Sequence, residues 1–406
     1  MRYIDFLDLN YEPRKDDIIC DFFVEPEGIG LEEATGAVAA ESSIGTWTEL
    51  KTEKPYVKRL HAKVFRINGN DVKIAYPVGL FEPGNMPNIL SSIAGNVFGL
   101  KDLKNLRLND VTIPSRILKS FRGPKYGILG VRKLLDIPKR PLVGTIIKPK
   151  LGLRTEDHAK VAYDAWVGGC DLVKDDENLS GQGFNPFRER VLETLRQRDR
   201  AEKETGERKA YLVNITSETS EMVERAKFVV NNGGEYVMVD ILTCGFSALQ
   251  TLRNQDFDLI IHAHRAGHAA FTKNPRHGIS MLVISKLARV VGIDQIHVGA
   301  VVGKMSEVRE EVLKNCSALR DEMDGLKRVL PVASGGLHPR LVPSLIKIFG
   351  NDFVIQAGGG IHGHRDGTVS GARAMRQALD ATIQGTPLEE YAKTHKELET
   401  ALKIWK

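Results

Sequence analysis

The 406-residue chain is poor in cysteine, and Cys20, Cys170, Cys244 and Cys316 stand far apart with no CxxC pair among them. That spacing suggests neither a disulfide framework nor a zinc knuckle, and it suits a reducing cytoplasm. No uncharged apolar run approaches the ~18 residues that cross a bilayer, and the opening MRYIDFLDLN carries acidic groups where a signal peptide has an apolar core. A soluble protein, not bound to a membrane, is expected. A polybasic tail is also lacking: 57 basic and 52 acidic residues are interspersed and leave a net charge of +5. Nothing in that pattern points to nucleic acid, whereas an anionic small substrate is compatible with it. There is no internal repeat or low-complexity tract. With 42% hydrophobic and 27% charged residues the composition is that of an ordinary globular chain. Its length suits two domains at roughly 150 residues each.

From about Leu142 onward, short apolar runs alternate with longer amphipathic stretches, the pattern of βα units around a parallel sheet. Eight strands are expected, ending at Lys148, Asp175, Ile215, Ile241, His264, Val298, Ser334 and Ala357. Helices are expected over Glu156 to Val167, Pro186 to Thr205, Ser217 to Asn231, Ser280 to Val290 and Glu307 to Lys327. Eight consecutive units across the ~250 residues typical of a (β/α)8 barrel favour closure over an open doubly wound sheet. Residues 1–138 mix strand-like CDFFVEP, HAKVFRI and VKIAYPV with helix-like stretches around Leu31 to Ala40 and Met86 to Val97. The expected organisation is therefore a smaller α+β domain over residues 1–138, then a catalytic barrel with C-terminal helices over 139–406. The Gly- and Pro-bearing FRGPKYGILG lies near the connection.

Functional groups of a parallel barrel gather at the carboxyl ends of its strands, and nearly every strand end here is polar. The first runs into Lys148-Pro149-Lys150, two lysines of like parity facing one side, which by themselves are as readily a solvated loop. The second ends in Lys174-Asp175-Asp176-Glu177. Carboxylates there suit Mg2+, a hard cation that takes one or two carboxylates and keeps other positions for water and substrate, although such a charge run is commonly just surface. A lysine in that run is unusual, because an ammonium repels the metal. A neutral amine, by contrast, can add CO2 and become a carbamate, an anionic oxygen ligand. At an ordinary pKa of ~10.4 little of the amine is neutral at about pH 8, so burial and neighbouring cations are expected to depress it.

The fifth strand ends His262-Ala263-His264-Arg265, with His268 a turn later, and the sixth carries His297. Alternating histidines read as zinc ligands, acid–base groups or phosphate donors. The adjacent arginine favours phosphate through its planar donor fork and disfavours a divalent cation nearby. Ser334-Gly335-Gly336 follows the seventh strand, and the eighth carries Gln356 and runs into Gly358-Gly359-Gly360. Bare amides at these two places suit phosphate. After the sixth strand, VVGKM sets Lys304 behind Gly303, a hinge for a loop that closes over a ligand.

Together these motifs resemble ribulose bisphosphate carboxylase. AAESSIGTW, GTIIKPKLGL, GGCDLVKDDENL, HAHRAGHAA, HVGAVVGK, VASGG, IQAGGG and GGGIHGH occur in that family's order over almost the whole chain. THKEL, the KDDENL form and the short C-terminus are most similar to the archaeal, small-subunit-free form III enzymes. The resemblance implies that Lys174 is carbamylated by an activator CO2 and, with Asp176 and Glu177, holds Mg2+, which holds the enediolate. It implies that Lys148 handles proton transfer at the substrate carbon skeleton, with Lys150 tuning its pKa, and that His264 lies near the substrate hydroxyls. Arg265 and His297 then bind one phosphate, with His268 close by. Thr46, Trp47, Gly336, Gly358 and Gly359 bind the other, beside Gly335 and Gln356, with Ser334 on a hydroxyl. Lys304 stabilises the carboxylate formed when CO2 adds. Ribulose bisphosphate and CO2 are the implied substrates, with O2 in an oxygenase side reaction.

Glu41, Thr46, Trp47 and Asn96 reach a neighbouring subunit in that family. A homodimer is therefore the implied minimal unit, open to higher assembly such as a pentamer of dimers. Departures from the family are plain: GKMSEV stands where an acidic residue and glycine usually follow GKM or GKL, Ala300 replaces a threonine, and Ser306 to Leu330 is short and lacks the usual tryptophan. The alternative is a RuBisCO-like enolase or isomerase of sulfur-sugar phosphate salvage. Against it, Lys148, Lys150, His264, Arg265, His297, Lys304 and Ser334 all stand. A non-catalytic sugar phosphate binder would leave the lysine and carboxylates without a task.

Overall fold

The structure, a computed structural model, describes residues 2–48, 50–304 and 307–405, and among these described residues thirteen strands organise the protein. In chain order they are β1 (Ile18–Pro26), β2 (Lys63–Asn68), β3 (Asp71–Tyr76), β4 (Leu103–Thr112), β5 (Leu142–Ile146), β6 (Leu172–Lys174) and β7 (Ala210–Asn214). They continue as β8 (Tyr236–Asp240), β9 (Ile260–His264), β10 (Gly278–Ile279), β11 (Gln295–His297), β12 (Leu330–Ser334) and β13 (Val354–Gln356). The chain packs as two compact units, residues 1–122 with 267–291, and residues 123–266 with 292–406.

The first unit is built on a five-stranded sheet in the order β10-β4-β1-β3-β2. Along β1, Ile18, Cys20, Phe22 and Val24 are buried in alternation, the period of a strand with one face on a core. Strand β4 has no counterpart among the sequence expectations. Its LKNLRLNDVT breaks the alternation with charge, and its buried Arg107 donates to Asn109 Oδ1 at 3.2 Å and to two distant carbonyls, those of Thr272 at 3.0 Å and of Asn274. The helix expected over Met86 to Val97 stops at Ile93, because the backbone folds so tightly at Gly95 that a Cβ there would lie 2.0 Å from the Ser91 carbonyl.

The second unit is a closed barrel of eight parallel strands, β5-β6-β7-β8-β9-β11-β12-β13, with β13 pairing back to β5. Barrel residues are buried on both faces, which is why the strands read as continuous apolar runs. Helices Thr155–Val167, Phe187–Thr205 and Thr219–Asn231 lie within two residues of expectation. The helix expected to reach Lys327 is instead Arg309–Arg320, ended where Asp321 turns extended (φ −73°, ψ 164°), with the left-handed Asp324 (φ 45°) and Gly325 (φ 79°) beyond it.

A single cut at residue 138 does not describe this packing. Helix Gly127–Leu135, assigned from sequence to the smaller domain, buries Ile128, Val131 and Leu135 against Leu142, Leu172, Tyr236, Ile260, Leu330 and Val354, the first residues of six barrel strands. It seals the amino end of the barrel and leaves the carboxyl end for chemistry. Residues 267–291, expected inside the barrel domain, pack instead in the first unit, where Gly278 and Ile279 pair with Arg107 and Leu108. No helix among the described residues is long and apolar enough to cross a membrane.

Asp294, fully buried, ties the sealing helix to the barrel. It accepts the backbone N–H groups of Tyr126 (2.7 Å), Gly127 (2.8 Å) and Ile261 (3.0 Å) and pairs with buried Arg253 (2.7 Å). Asp294→Ala strands the guanidinium and three amides in a dry interior, so unfolding in urea is expected to show a loss of about 3–5 kcal/mol. A loss under about 1 kcal/mol, the scale of an exposed pair, would contradict this role.

Candidate active site

Six barrel strands deliver polar groups to one cavity of about 510 Å3. Lys148 follows β5, and Lys174 ends β6 with Glu177 just beyond it. His264, His297, Ser334 and Gln356 end β9, β11, β12 and β13. Lys304, Gly335, Gly336, Gly358 and Gly359 complete the set of expected residues that line it. Asp176 is buried just beneath, its Oδ2 2.7 Å from Lys148 Nζ. Lys150 turns outward to Asn178 Oδ1 at 3.2 Å and is not a lining residue. Arg265 is buried and paired with Glu307, while His268 belongs to the first unit, where its Nδ1 lies 3.0 Å from Thr272 Oγ1. Glu41, Thr46, Trp47 and Asn96 also lie in the first unit; Glu41 accepts the Tyr3 hydroxyl at 3.2 Å, and the Trp47 indole is 81% exposed.

Lys174 is almost wholly buried. Its amine donates to the Asp175 carbonyl at 2.8 Å, meets Met238 Sδ at 3.2 Å and lies 3.9 Å from Glu177 Oε2. Burial pulls its pKa below the usual lysine range, against the opposing pull of Glu177, Asp176, Asp240 and Asp175. The expectation that neighbouring cations supply this shift is therefore corrected: desolvation does it, because an ammonium leaving water loses more than the nearby carboxylates return. Glu177 stays below the ordinary carboxylate range: burial opposes this, but Lys174, His264 and Lys148 outweigh it.

The remaining acid of the run, Asp175, points away from the cavity and holds the turn. Burial would raise its pKa, but Arg190, His158 and Tyr211 bring it down to about 2. Asn214, ending β7, donates to the carbonyls of Asp176, Glu177 and Leu179 at 3.3, 3.1 and 2.8 Å. Its only trace in the sequence is a polar residue closing an apolar strand.

Gln295 Nε2 donates to the Tyr236 hydroxyl (3.1 Å), which leaves its Oε1 to accept from His262 Nδ1 (2.9 Å). His262 Nε2 is then an acceptor for His297 Nε2–H (2.9 Å), and His297 Nδ1 accepts from Ser334 Oγ (2.8 Å). Both rings are neutral. Burial lowers His262 to about 3 and His297 well below the ordinary range, with nearby charge adding to it. Ser334 thus turns its lone pairs toward the cavity. His264 is less constrained: its Nδ1 lies 2.8 Å from Asp240 Oδ1 without hydrogen-bond geometry, and its Nε2 is 3.6 Å from Glu177. Gln356 is buried with neither amide atom bonded to a described residue, a polar group awaiting a polar ligand.

These histidines carry a pH signature. A folded pKa below the unfolded ~6.5 means that the unfolded chain takes up the proton first, so stability present at neutral pH is lost as pH falls below 6.5, toward about 3 for His262. Between about pH 6.5 and 5, before carboxylates titrate, each buried imidazole is expected to withdraw roughly 1.5 kcal/mol. Thermal unfolding across that range should have a shallower slope in His262→Asn; equal slopes would refute the neutral pair.

Sequence reading overlooked His338 and Trp405, which stack at 5.8 Å between ring centroids on the cavity wall. It also overlooked Glu307, 2.7 Å from Arg265. The loop bearing Lys304 is pinned to the next one by Lys304 N–H donating to the Gly335 carbonyl at 3.1 Å. That approach needs glycine at 303, where φ is +92° and a Cβ would sit 2.3 Å from the same oxygen.

Fold and cavity together define a (β/α)8-barrel enzyme with its polar groups at the carboxyl end of the barrel, a lysine–carboxylate cluster facing glycine-rich loops. Residues 5–117 match the ribulose bisphosphate carboxylase large chain N-terminal domain, and residues 127–405 its catalytic domain. The chain belongs to the ribulose bisphosphate carboxylase large-chain family. The ribulose bisphosphate carboxylase of Pyrococcus abyssi is 52% identical, over 99% of this chain and 96% of the relative; that of Methanocaldococcus jannaschii is 50% identical, over 99% and 100%. The octameric ribulose-1,5-bisphosphate carboxylase/oxygenase of Pyrococcus horikoshii superposes with a TM-score of 0.97 at 51% identity, over 100% and 97% of the two chains. The dimeric archaeal enzyme of Hyperthermus butylicus gives 0.93 at 45% identity, over 99% of each.

Proposed function

We propose that this protein is a ribulose-1,5-bisphosphate carboxylase, a carbon–carbon lyase that converts the bisphosphate, CO2 and water into two molecules of 3-phosphoglycerate, with O2 as a competing substrate. The observation that carries this reading is the buried Lys174 amine with depressed basicity, 3.9 Å from Glu177 and in the same run as buried Asp176.

Among the described residues no group of three histidines, cysteines or acids is arranged to hold a metal. A hard divalent ion would gain its third anionic oxygen from a Lys174 carbamate, and the donor set then suits Mg2+. When bound, magnesium neutralises negative charge that builds on the substrate's oxygens as a proton leaves carbon. Lys148, paired with Asp176 at 2.7 Å, would move that proton, and Asp176 would be shared between this amine and a bound cation. His264 and Ser334 face the hydroxyl-bearing middle of the substrate. Arg265 takes one phosphate, with His297 setting the Ser334 hydroxyl beside it, while the amides of Gly335, Gly336, Gly358 and Gly359 take the other. Lys304 meets the new carboxylate, an interaction that exists only once CO2 has added. Gln356 satisfies its stranded amide on the bound sugar.

Two copies of the chain form the minimal catalytic unit, with Glu41, Thr46, Trp47 and Asn96 of one completing the site of the other. An indole as exposed as that of Trp47 supports this, since so much apolar surface is seldom left to water. Assembly beyond the dimer, without a small subunit, is compatible with octameric and dimeric relatives. The chemistry is tested by incubating purified protein with Mg2+, labelled bicarbonate and ribulose bisphosphate and measuring acid-stable label in 3-phosphoglycerate. Enolisation with no incorporated label would select the enolase alternative.

A further inference from the structure

We infer that Glu307 is a built-in competitor for phosphate at Arg265, a carboxylate on the Lys304 loop that must withdraw before that anion subsite can be filled. The inference rests on the carboxylase reading only for the identity of the natural anion.

Glu307 Oε1 accepts from Arg265 Nη2 at 2.7 Å, and the two side chains are only 17% and 8% exposed. Carboxylate and phosphate are the two groups that the guanidinium fork binds best, so one excludes the other. The occupancy is imperfect. Glu307 Oε2 is buried and accepts no hydrogen bond from any described residue, whereas a phosphate brings more charge and more oxygens to the same fork.

The surrounding backbone is shaped to admit this carboxylate. A Cβ at Gly299 would lie 2.7 Å from Glu307 Cδ, so the side chain reaches Arg265 across a position only glycine leaves open. Val301, between Gly299 and Lys304, is held at φ +66°, a region β-branched residues rarely enter. The clasp therefore holds a strained loop. This also gives a task to a residue in the stretch where GKMSEV departs from the family pattern.

The test is calorimetric titration of orthophosphate into the full chain, which requires no turnover. Glu307→Gln is expected to tighten phosphate at one class of site by about tenfold, the scale of removing one partly buried charge contact. Arg265→Ala combined with Glu307→Gln should cancel the gain, which assigns it to this subsite rather than to the glycine loops. Glu307→Ala repeats the measurement without an amide that must be accommodated. In turnover, KM for the bisphosphate should fall in either variant, with orthophosphate inhibiting at lower concentration. Unchanged or weaker phosphate binding in variants that keep the wild-type melting temperature would overturn the inference, as would a gain that survives loss of Arg265. A chain that fixes no CO2 yet binds phosphate more tightly as Glu307→Gln would leave the inference standing and refute the carboxylase reading alone.

Discussion

Replacing Lys174 by alanine should abolish turnover, by about 10^3-fold or more in kcat, at least the cost of removing a principal electrostatic stabiliser from an active site. The amine is buried, 2.8 Å from the Asp175 carbonyl and 3.9 Å from Glu177, so no solvent ligand can simply take its place. Alanine removes the anionic oxygen that a carbamate would add to Asp176 and Glu177, so a divalent cation would be held less tightly and would lose its fixed position over the substrate. The variant should also lose the carbamate signal that 13C-bicarbonate and Mg2+ generate in the wild type by NMR, while orthophosphate still binds at the glycine loops. The pH dependence has a definite sign. Only the neutral amine adds CO2, and burial lowers the Lys174 pKa, so activation rises with pH and levels off at lower pH than for a solvent-exposed lysine. Normal activity in Lys174→Ala would end the proposed mechanism.

Lys304→Ala should separate two halves of the reaction. Its amine lines the cavity and is exposed, with its stem against Gly336, and it has no role until a carboxylate appears on the substrate. Proton exchange between substrate and solvent, which depends on Lys148 and the Lys174 cluster, is expected to continue within about tenfold. Fixation of labelled CO2 is expected to fall about 10^2- to 10^3-fold, the usual cost of a donor aimed at developing charge. Equal loss of exchange and fixation would instead place Lys304 in substrate binding, as a contact made equally in ground and transition states.

Much of this was legible in the chain itself. Strand ends at His264 and Ser334 coincide with the observed ones, and the others fall within a residue or two, because a strand buried on both faces must be continuously apolar and its end is where polarity resumes. That regularity sets Lys148, Lys174, Glu177, His264, His297 and Ser334 at or just beyond strand ends, and all six line one cavity. Strand β4 escaped because its charged residues break the alternation, and two of the hydrogen-bond acceptors that let Arg107 be buried lie more than 160 positions away. The helix sealing the barrel escaped because a Gly- and Pro-bearing stretch reads as a linker whether or not it packs.

By itself the sequence determined the barrel, the order of its strands and the kinds of group at each strand end, since period and polarity are local properties written residue by residue. Tertiary structure alone decided what those groups become. It set Lys174 in a dry environment that weakens its base strength, kept His262 and His297 neutral by burial with their tautomers set through Gln295 and Tyr236, turned Asp175 away to Arg190, and laid Glu307 on Arg265. Desolvation and hydrogen-bond direction depend on neighbours distant in the chain, and spacing along a sequence does not encode those distances.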